Sequence, residues 1–143
     1  MGKKRIIKKS GGADSQSAAR ALSRIPKKRV DVGILNVLAT FNNTILTLAD
    51  GKGDSLISAS SGAIGFRGSR KSTPFAAAKV GEIIGEKAQQ MGMKEASVVV
   101  RGVGAGRESA LRAFAGKGIN ITNISDRTPV AHNGPRAPKP RRV

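Results

Sequence analysis

Residues 30 to 60 read VDVGILNVLATFNNTILTLADGKGDSLISAS, and the pattern in this stretch decides the fold. Val30, Val32, Ile34, Asn36 and Leu38 share one face of a period-two alternation, which makes residues 30 to 40 a first strand. Asn42-Asn43 turns the chain. Thr44 to Ala49 is a second strand, Asp50-Gly51-Lys52-Gly53-Asp54 carries the Asp-Gly hairpin signal, and Ser55 to Ser60 returns as a third strand. Three consecutive strands joined by short turns make an antiparallel meander.

Downstream, Ser61 to Thr73 (SGAIGFRGSRKST) is a long, polar, basic, glycine-rich loop that ends on Thr73-Pro74, an N-cap followed by a first-turn proline. Ala76, Val80, Ile83, Ile84, Lys87 or Ala88, and Met91 then recur at helical spacing, and Gly92 stops the helix. Residues 94 to 101 form the next strand. Its Val98-Val99-Val100 run predicts burial on both faces, as in a central parallel strand. Gly102 to Gly106 leads into a second helix from about Arg107 to Ala115, and Ile119, Ile121 and Ile124 open a last strand at residues 119 to 125. The order β-β-β-α-β-α-β with right-handed crossovers predicts an α/β fold, a mixed five-stranded sheet with the helices packed on it.

Charge is distributed unevenly around this core. The chain of 143 residues carries a net +17, more than solubility requires, so a polyanion is the expected partner. Residues 1 to 30 hold ten Lys and Arg against one acid, residues 31 to 126 hold eleven against eight, and residues 127 to 143 hold five against none. The expected organisation is therefore a basic, disordered arm at 1–29, a nearly balanced core at 30–126 and an extended basic tail at 127–143. Pro129, Pro135, Pro138 and Pro140 stiffen the tail for laying along a groove. The tail supplies little core, so removing everything after Ser125 is expected to weaken assembly with the polyanion far more than it weakens folding.

Several chemistries are excluded by composition. With no cysteine there is no disulfide, thiol nucleophile or thiolate metal site, and one histidine, His132, cannot build a His-rich metal site. No apolar run approaches the ~20 residues that span a bilayer. The basic N-terminus lacks the apolar segment of a secretory signal. An organellar transit peptide is a minor alternative there, since residues 1 to 24 contain Arg, Ser and Ala with Asp14 as the sole acid.

Two segments fit anion binding. Gly65-Phe66-Arg67-Gly68-Ser69-Arg70-Lys71-Ser72 combines three cations, hydroxyls and two glycines that allow close backbone approach; a solvated connector is the alternative, but long loops in compact domains are usually functional. Gly102-Val103-Gly104-Ala105-Gly106-Arg107-Glu108-Ser109 is a strand, a glycine turn and a helix N-terminus in succession, where backbone N–H groups and the macrodipole favour an anion. Its spacing is neither that of a dinucleotide fingerprint nor of a P-loop, so an RNA phosphate is the better ligand and a plain tight turn the alternative. Phe66 either stacks on a base or anchors its loop to the core.

Catalysis has little support. Asp31 and Asp50 are the only loosely convergent carboxylates, and strand-edge solvation and turn formation explain both. A metal-dependent nuclease is the runner-up reading; a membrane-surface or general DNA binder is a third, disfavoured by the lack of a basic amphipathic helix. With no Trp or Tyr and four Phe, the chain has no stacking platform for single strands, which points to folded RNA read by shape and phosphate geometry. Asn133-Gly134 is an expected deamidation site, because glycine lets the next backbone nitrogen reach the amide.

Four motifs occur in register: Phe41-Asn42-Asn43-Thr44, GFRGSRKSTPFA at 65–76, GVGAGRES at 102–109 and ITNISDRTPVAHNGPRAPKPRRV at 121–143. From about residue 30 to residue 143 the chain resembles the family of the universal eleventh protein of the small ribosomal subunit, of bacterial or organellar type. Residues 10 to 25 have no counterpart in that pattern. The resemblance implies a ribonuclease-H-like sheet of strand order 3-2-1-4-5 without nuclease function, a place on the subunit platform bridging rRNA helices, and a share in the Shine-Dalgarno cleft that holds messenger RNA. It implies small-subunit rRNA as ligand, the seventh and eighteenth small-subunit proteins as neighbours, messenger RNA and initiation factor three close by, and no cofactor, metal, membrane or small-molecule substrate. The location implied is the ribosome of a bacterial cytoplasm, with an organellar ribosome as the alternative.

Carried over by motif, the resemblance assigns RNA contacts to Asn42, Asn43 and Thr44 in the first turn, and to Gly65, Arg67, Gly68, Arg70, Lys71 and Ser72 in the long loop. Gly102, Gly104, Gly106 and Arg107 follow in the glycine turn, with Lys117 and Asn123 beyond it. The tail contributes Arg127, His132, Asn133, Gly134, Arg136, Lys139, Arg141 and Arg142.

Overall fold

The computed structural model describes residues 28–139. Most of the expected N-terminal arm, and Arg141 and Arg142 of the tail, lie outside the described residues.

The chain forms β1 (Val32–Ala39), β2 (Thr44–Asp50), β3 (Ser55–Ser60), a 3-10 turn (Gly68–Ser72), α1 (Pro74–Gln90), β4 (Glu95–Arg101), α2 (Arg107–Ala115) and β5 (Asn120–Asp126). The sheet order is β3-β2-β1-β4-β5. β1 runs antiparallel to β2, with Leu35 opposite Leu48, and β2 antiparallel to β3, with Leu48 opposite Ile57. β4 is parallel to β1, with Val98 beside Leu35, and β5 is parallel to β4. The α/β class, the strand order and the element sequence all match the expectation from the sequence.

Local signals account for the boundaries. Asp50 Oδ1 accepts the N–H groups of Lys52 at 2.9 Å and Asp54 at 3.0 Å, which closes the β2–β3 turn. Thr73 Oγ1 accepts the Ala76 N–H at 3.3 Å and Pro74 occupies the first turn, so α1 begins where the cap places it. Gly92, with φ +84°, ends it in the left-handed conformation that side chains resist.

Both helices lie on one face of the sheet and pack against each other. Ala77, Val80, Ile84 and Ala88 of α1 cover the inner residues of β2 and β3, while Ala110 and Phe114 of α2 sit over β1 and β4. The helices approach closely because α1 presents Gly81 and Gly85: a Cβ on Gly81 would lie 2.5 Å from the Ala110 carbonyl oxygen. The apolar stripe of α1 is legible in the sequence, but this glycine seam is not.

The second face of the sheet has no layer over it among the described residues. The buried face of β1 is therefore Gly33, Leu35, Val37 and Ala39, while Val32 and Leu38 of the period-two set are exposed. The expectation that Val98-Val99-Val100 is buried on both faces is corrected: Val98 and Val100 are buried, but Val99 points to the open face and is half-buried. A strand is enclosed on both sides only when both sheet faces are covered, and here the two helices share one.

Candidate nucleic-acid interface

Strand direction gathers the candidate segments. β1, β3, β4 and β5 end, and β2 begins, at the same end of the sheet. The first turn, the basic loop, the N-termini of α1 and α2, the glycine turn and the root of the tail all emerge there. Lys117 does not: it lies in the turn between α2 and β5, at the opposite end. Its Nζ is 2.7 Å from Glu86 Oε1, which raises the pKa of the ammonium. Asn123 lies mid-strand on the open face, beside Ser97.

The basic loop is held from below and open above. Ser61 N–H donates to the Thr44 carbonyl at 3.0 Å, and Phe66 N–H donates to the Ser61 carbonyl at 3.3 Å. Ser72 Oγ and Thr73 Oγ1 donate to the carbonyls of Ser69 and Arg70 at 3.0 and 2.7 Å, so these hydroxyls brace the 3-10 turn. Gly65 and Gly68 adopt φ of +112° and +61°, and the space a Cβ would fill is open at both, leaving their backbone accessible. Arg67 and Arg70 are exposed and Lys71 is half-buried. None of the three forms an ion pair among the described residues.

The glycine turn is built differently from an anion cradle. Gly104 N–H donates to the Ala39 carbonyl at 2.9 Å, and Gly102 N–H donates to Thr128 Oγ1 at 3.1 Å, so two of its donors serve the fold. A Cβ on Gly102 would lie 2.1 Å from the Ala39 oxygen, and one on Gly104 2.3 Å from the Thr40 oxygen. The glycines are there because the turn lies flat on the end of β1. A Cβ on Gly106 would meet Thr44 Oγ1 at 2.4 Å, and Thr44 itself is fully buried. Thr44 therefore packs beneath the surface, while Asn42 and Asn43 stand exposed or half-buried above it, Asn43 Oδ1 accepting the Thr44 N–H at 3.0 Å.

Arg107 is committed to the protein. Its guanidinium donates to the Gly102 carbonyl and to Asp126 Oδ2. Asp126 Oδ1 also accepts the Thr128 hydroxyl at 2.6 Å and the Thr128 N–H at 2.9 Å. The Thr128 hydroxyl, then Arg107, holds the Asp126 carboxyl down at about 2. The tail is anchored accordingly through Thr128, with Arg127 N–H donating to the Val100 carbonyl at 2.9 Å. Beyond this root His132, Asn133, Gly134, Arg136 and Lys139 are exposed.

Of the two carboxylates weighed for the nuclease alternative, Asp31 contributes its backbone carbonyl to the fold, accepting the N–H groups of Lys94 and Glu95, and Asp50 uses its side chain. Asp50 is bound by Lys28 Nζ at 2.7 Å as well as by two backbone N–H groups, and the Lys28 ammonium first among these holds it at about 2. No group of three or more His, Cys, Asp or Glu fit to hold a metal occurs among the described residues. Within the same residues no helix is long and apolar enough to cross a membrane.

Arg101 is a basic residue that the sequence motifs do not pick out. It ends β4 on the open face and is exposed and unpaired among the described residues, beside Leu38 of β1. A cation at the carboxyl end of an inner parallel strand was the available signal.

A family model, ribosomal protein S11, matches residues 33–142. The chain belongs to the ribosomal protein S11 family. It is 52% identical over 131 residues to small ribosomal subunit protein uS11 of Paraburkholderia xenovorans, covering 92% of this chain and 98% of that protein. The same protein of Leptothrix cholodnii is 50% identical over 131 residues, with 92% and 98% covered. That of Burkholderia cenocepacia is 51% identical over 129 residues, with 90% and 97% covered. The S11 family is structural and non-enzymatic, and rRNA binding is typical of it. The resemblance carried by four short motifs is thus a likeness over most of the chain.

Proposed function

We propose that this chain is a structural constituent of the small ribosomal subunit that binds small-subunit rRNA on the platform, bridging RNA helices with the carboxyl end of its sheet. One observation carries the reading: Arg67, Arg70 and Lys71 are left together without acidic partners on a braced, accessible loop, while Lys79, Arg107, Arg112 and Lys117 are each paired with a carboxylate. Uncompensated cations where RNA helices converge neutralise crowded phosphates and release their counterions. Arg127, Arg136 and Lys139 extend the same field along the tail, with Arg141 and Arg142 assigned by the family motif. His132, Asn133 and Gly134 accompany them. Asn42, Asn43, Gly65, Gly68 and Ser72 meet the RNA directly, whereas Thr44, Arg107 and the turn glycines Gly102, Gly104 and Gly106 shape the surface that does so. Asn123 reaches RNA only across the open sheet face, and Lys117 only from the far end.

In the same reading the protein borders the messenger RNA cleft, neighbours the seventh and eighteenth small-subunit proteins and lies near initiation factor three, in ribosomes of a bacterial cytoplasm. The core at 30–126 and the tail act as separate RNA-binding units joined at Thr128. Sedimentation of the native protein with small subunits at high salt tests the assignment. Binding of full-length small-subunit rRNA across a salt series tests the loop: Arg67→Ala/Arg70→Ala/Lys71→Ala should weaken binding and lower the log–log salt slope by about 2 to 3. An unchanged slope means that the loop faces protein or solvent.

A further inference from the structure

Beside the basic loop, a cleft of about 630 Å³ is lined by Ile64, Gly65, Phe66, Arg67, Arg70, Phe75 and Lys79. Its size falls within the range of clefts that take small-molecule ligands, roughly 300–1,000 Å³. Phe75, the second residue of α1, is 64% exposed although it belongs to a helix with an otherwise buried apolar stripe. It is held in place from two sides. Phe66 meets it edge-to-face, with ring centroids 6.0 Å apart at 81°, and Lys79 Nζ stands 5.8 Å from its ring centroid. Lys79 is itself fixed by Glu82 at 2.9 Å.

From these positions we infer that the Phe66–Phe75 cleft receives one unstacked nucleobase of the RNA, with the flanking phosphates on Arg67 and Arg70. The inference rests on the rRNA-binding reading above and adds a base site to it. An aromatic ring with a pinned orientation gives a base a stacking surface at little entropic cost, and an aryl face accepts any base. Charge decides between an RNA nucleotide and an apolar peptide. The lining carries three cations and no carboxylate, and it continues into the unpaired cations of the loop, so a strand running along that loop brings its own base to the cleft. The general shortage of aromatic residues is no objection, since one base needs one ring.

Binding of the full-length protein to small-subunit rRNA separates the outcomes. Phe75→Leu keeps apolar volume but removes the π face; it should weaken binding roughly five- to tenfold and leave the salt slope unchanged, because no phosphate contact is lost. Ultraviolet irradiation of assembled subunits should crosslink a nucleotide to the peptide containing Phe75, and Phe75→Leu should abolish that crosslink. Parent-like affinity of Phe75→Leu, with the triple loop variant still impaired, overturns the base site and leaves rRNA binding standing. Parent-like affinity of both variants overturns the base site and takes this loop out of the RNA interface, whereas failure of the parent chain itself to bind small-subunit rRNA overturns the rRNA reading. If Phe75→Leu binds rRNA normally but releases a neighbouring protein from the subunit, the occupant is a peptide and the base site is wrong. Unchanged thermal melting of Phe75→Leu, expected from its exposure, shows that any loss is not one of folding.

Discussion

Arg107, the first residue of α2, and Asp126, the last residue of β5, are joined guanidinium to carboxylate across the end of the sheet. Their pairing holds the glycine turn, the helix N-terminus and the root of the tail as one unit, since Arg107 also bonds Gly102 and Asp126 also bonds Thr128. Arg107→Ala should therefore lower the melting temperature and make the chain around Thr128 more susceptible to proteolysis, while the rRNA salt slope changes less than in the loop variant. Asp126 titrates in the fold near 2 against an ordinary 3.8, so its stabilising effect is complete above 3.8 and is lost as pH falls through about 2. Melting curves across the acid range should show a shallower acid limb for Asp126→Asn, with the remainder due to Asp50, which is depressed in the same way.

The root also moves the boundary for truncation. Removing everything after Ser125 takes away Asp126 and Thr128, and with them partners of Arg107 and of the Gly102 N–H. That cut should reduce stability as well as rRNA binding, contrary to the sequence expectation. A chain ending at Pro129 keeps those bonds and should melt like the parent while binding rRNA more weakly. Thermal melting beside a binding titration distinguishes the two truncations.

Lys87 is buried, and its ammonium has no partner among the described residues. Burial pushes its pKa below 10.5, so the unfolded chain binds the proton more tightly and stability rises as pH climbs from the folded value towards 10.5. Lys87→Met should raise stability at neutral pH by about 1–3 kcal/mol and flatten the alkaline rise. Denaturant unfolding at neutral and alkaline pH measures both.

The helix seam responds unequally to added methyl groups. At Gly81 the obstacle is the Ala110 carbonyl, which is backbone, whereas at Gly85 the nearest atom is Lys117 Cγ, at 2.7 Å, on a flexible side chain. Gly81→Ala should cost about 1–3 kcal/mol from overpacking, only partly offset by better helix propensity. Gly85→Ala should stay within about 1 kcal/mol of the parent. Chemical denaturation of both variants decides whether the backbone contact sets the helix spacing.

Asn133 takes φ 60° in the exposed tail ahead of Gly134. Aged protein should accumulate isoaspartate at this position, seen by intact mass and peptide mapping, and Gly134→Ala should suppress it. The assembled subunit should be protected if the RNA covers this part of the tail.

The sequence alone determined the element order, the strand directions and which segments are basic and glycine-rich. Alternation, a capping Thr-Pro pair and stop glycines act through neighbours along the chain, and such signals survive in a linear reading. Only the tertiary structure decided which cations remain available. Asp126 lies 19 residues from Arg107 and Glu86 lies 31 from Lys117, so these pairs exist only once the sheet and helices have closed. The same holds for the open face that exposes Val99, the flat seat that requires Gly102 and Gly104, and the cleft that orients Phe75. Each depends on which surfaces meet in three dimensions, a property that local spacing does not encode.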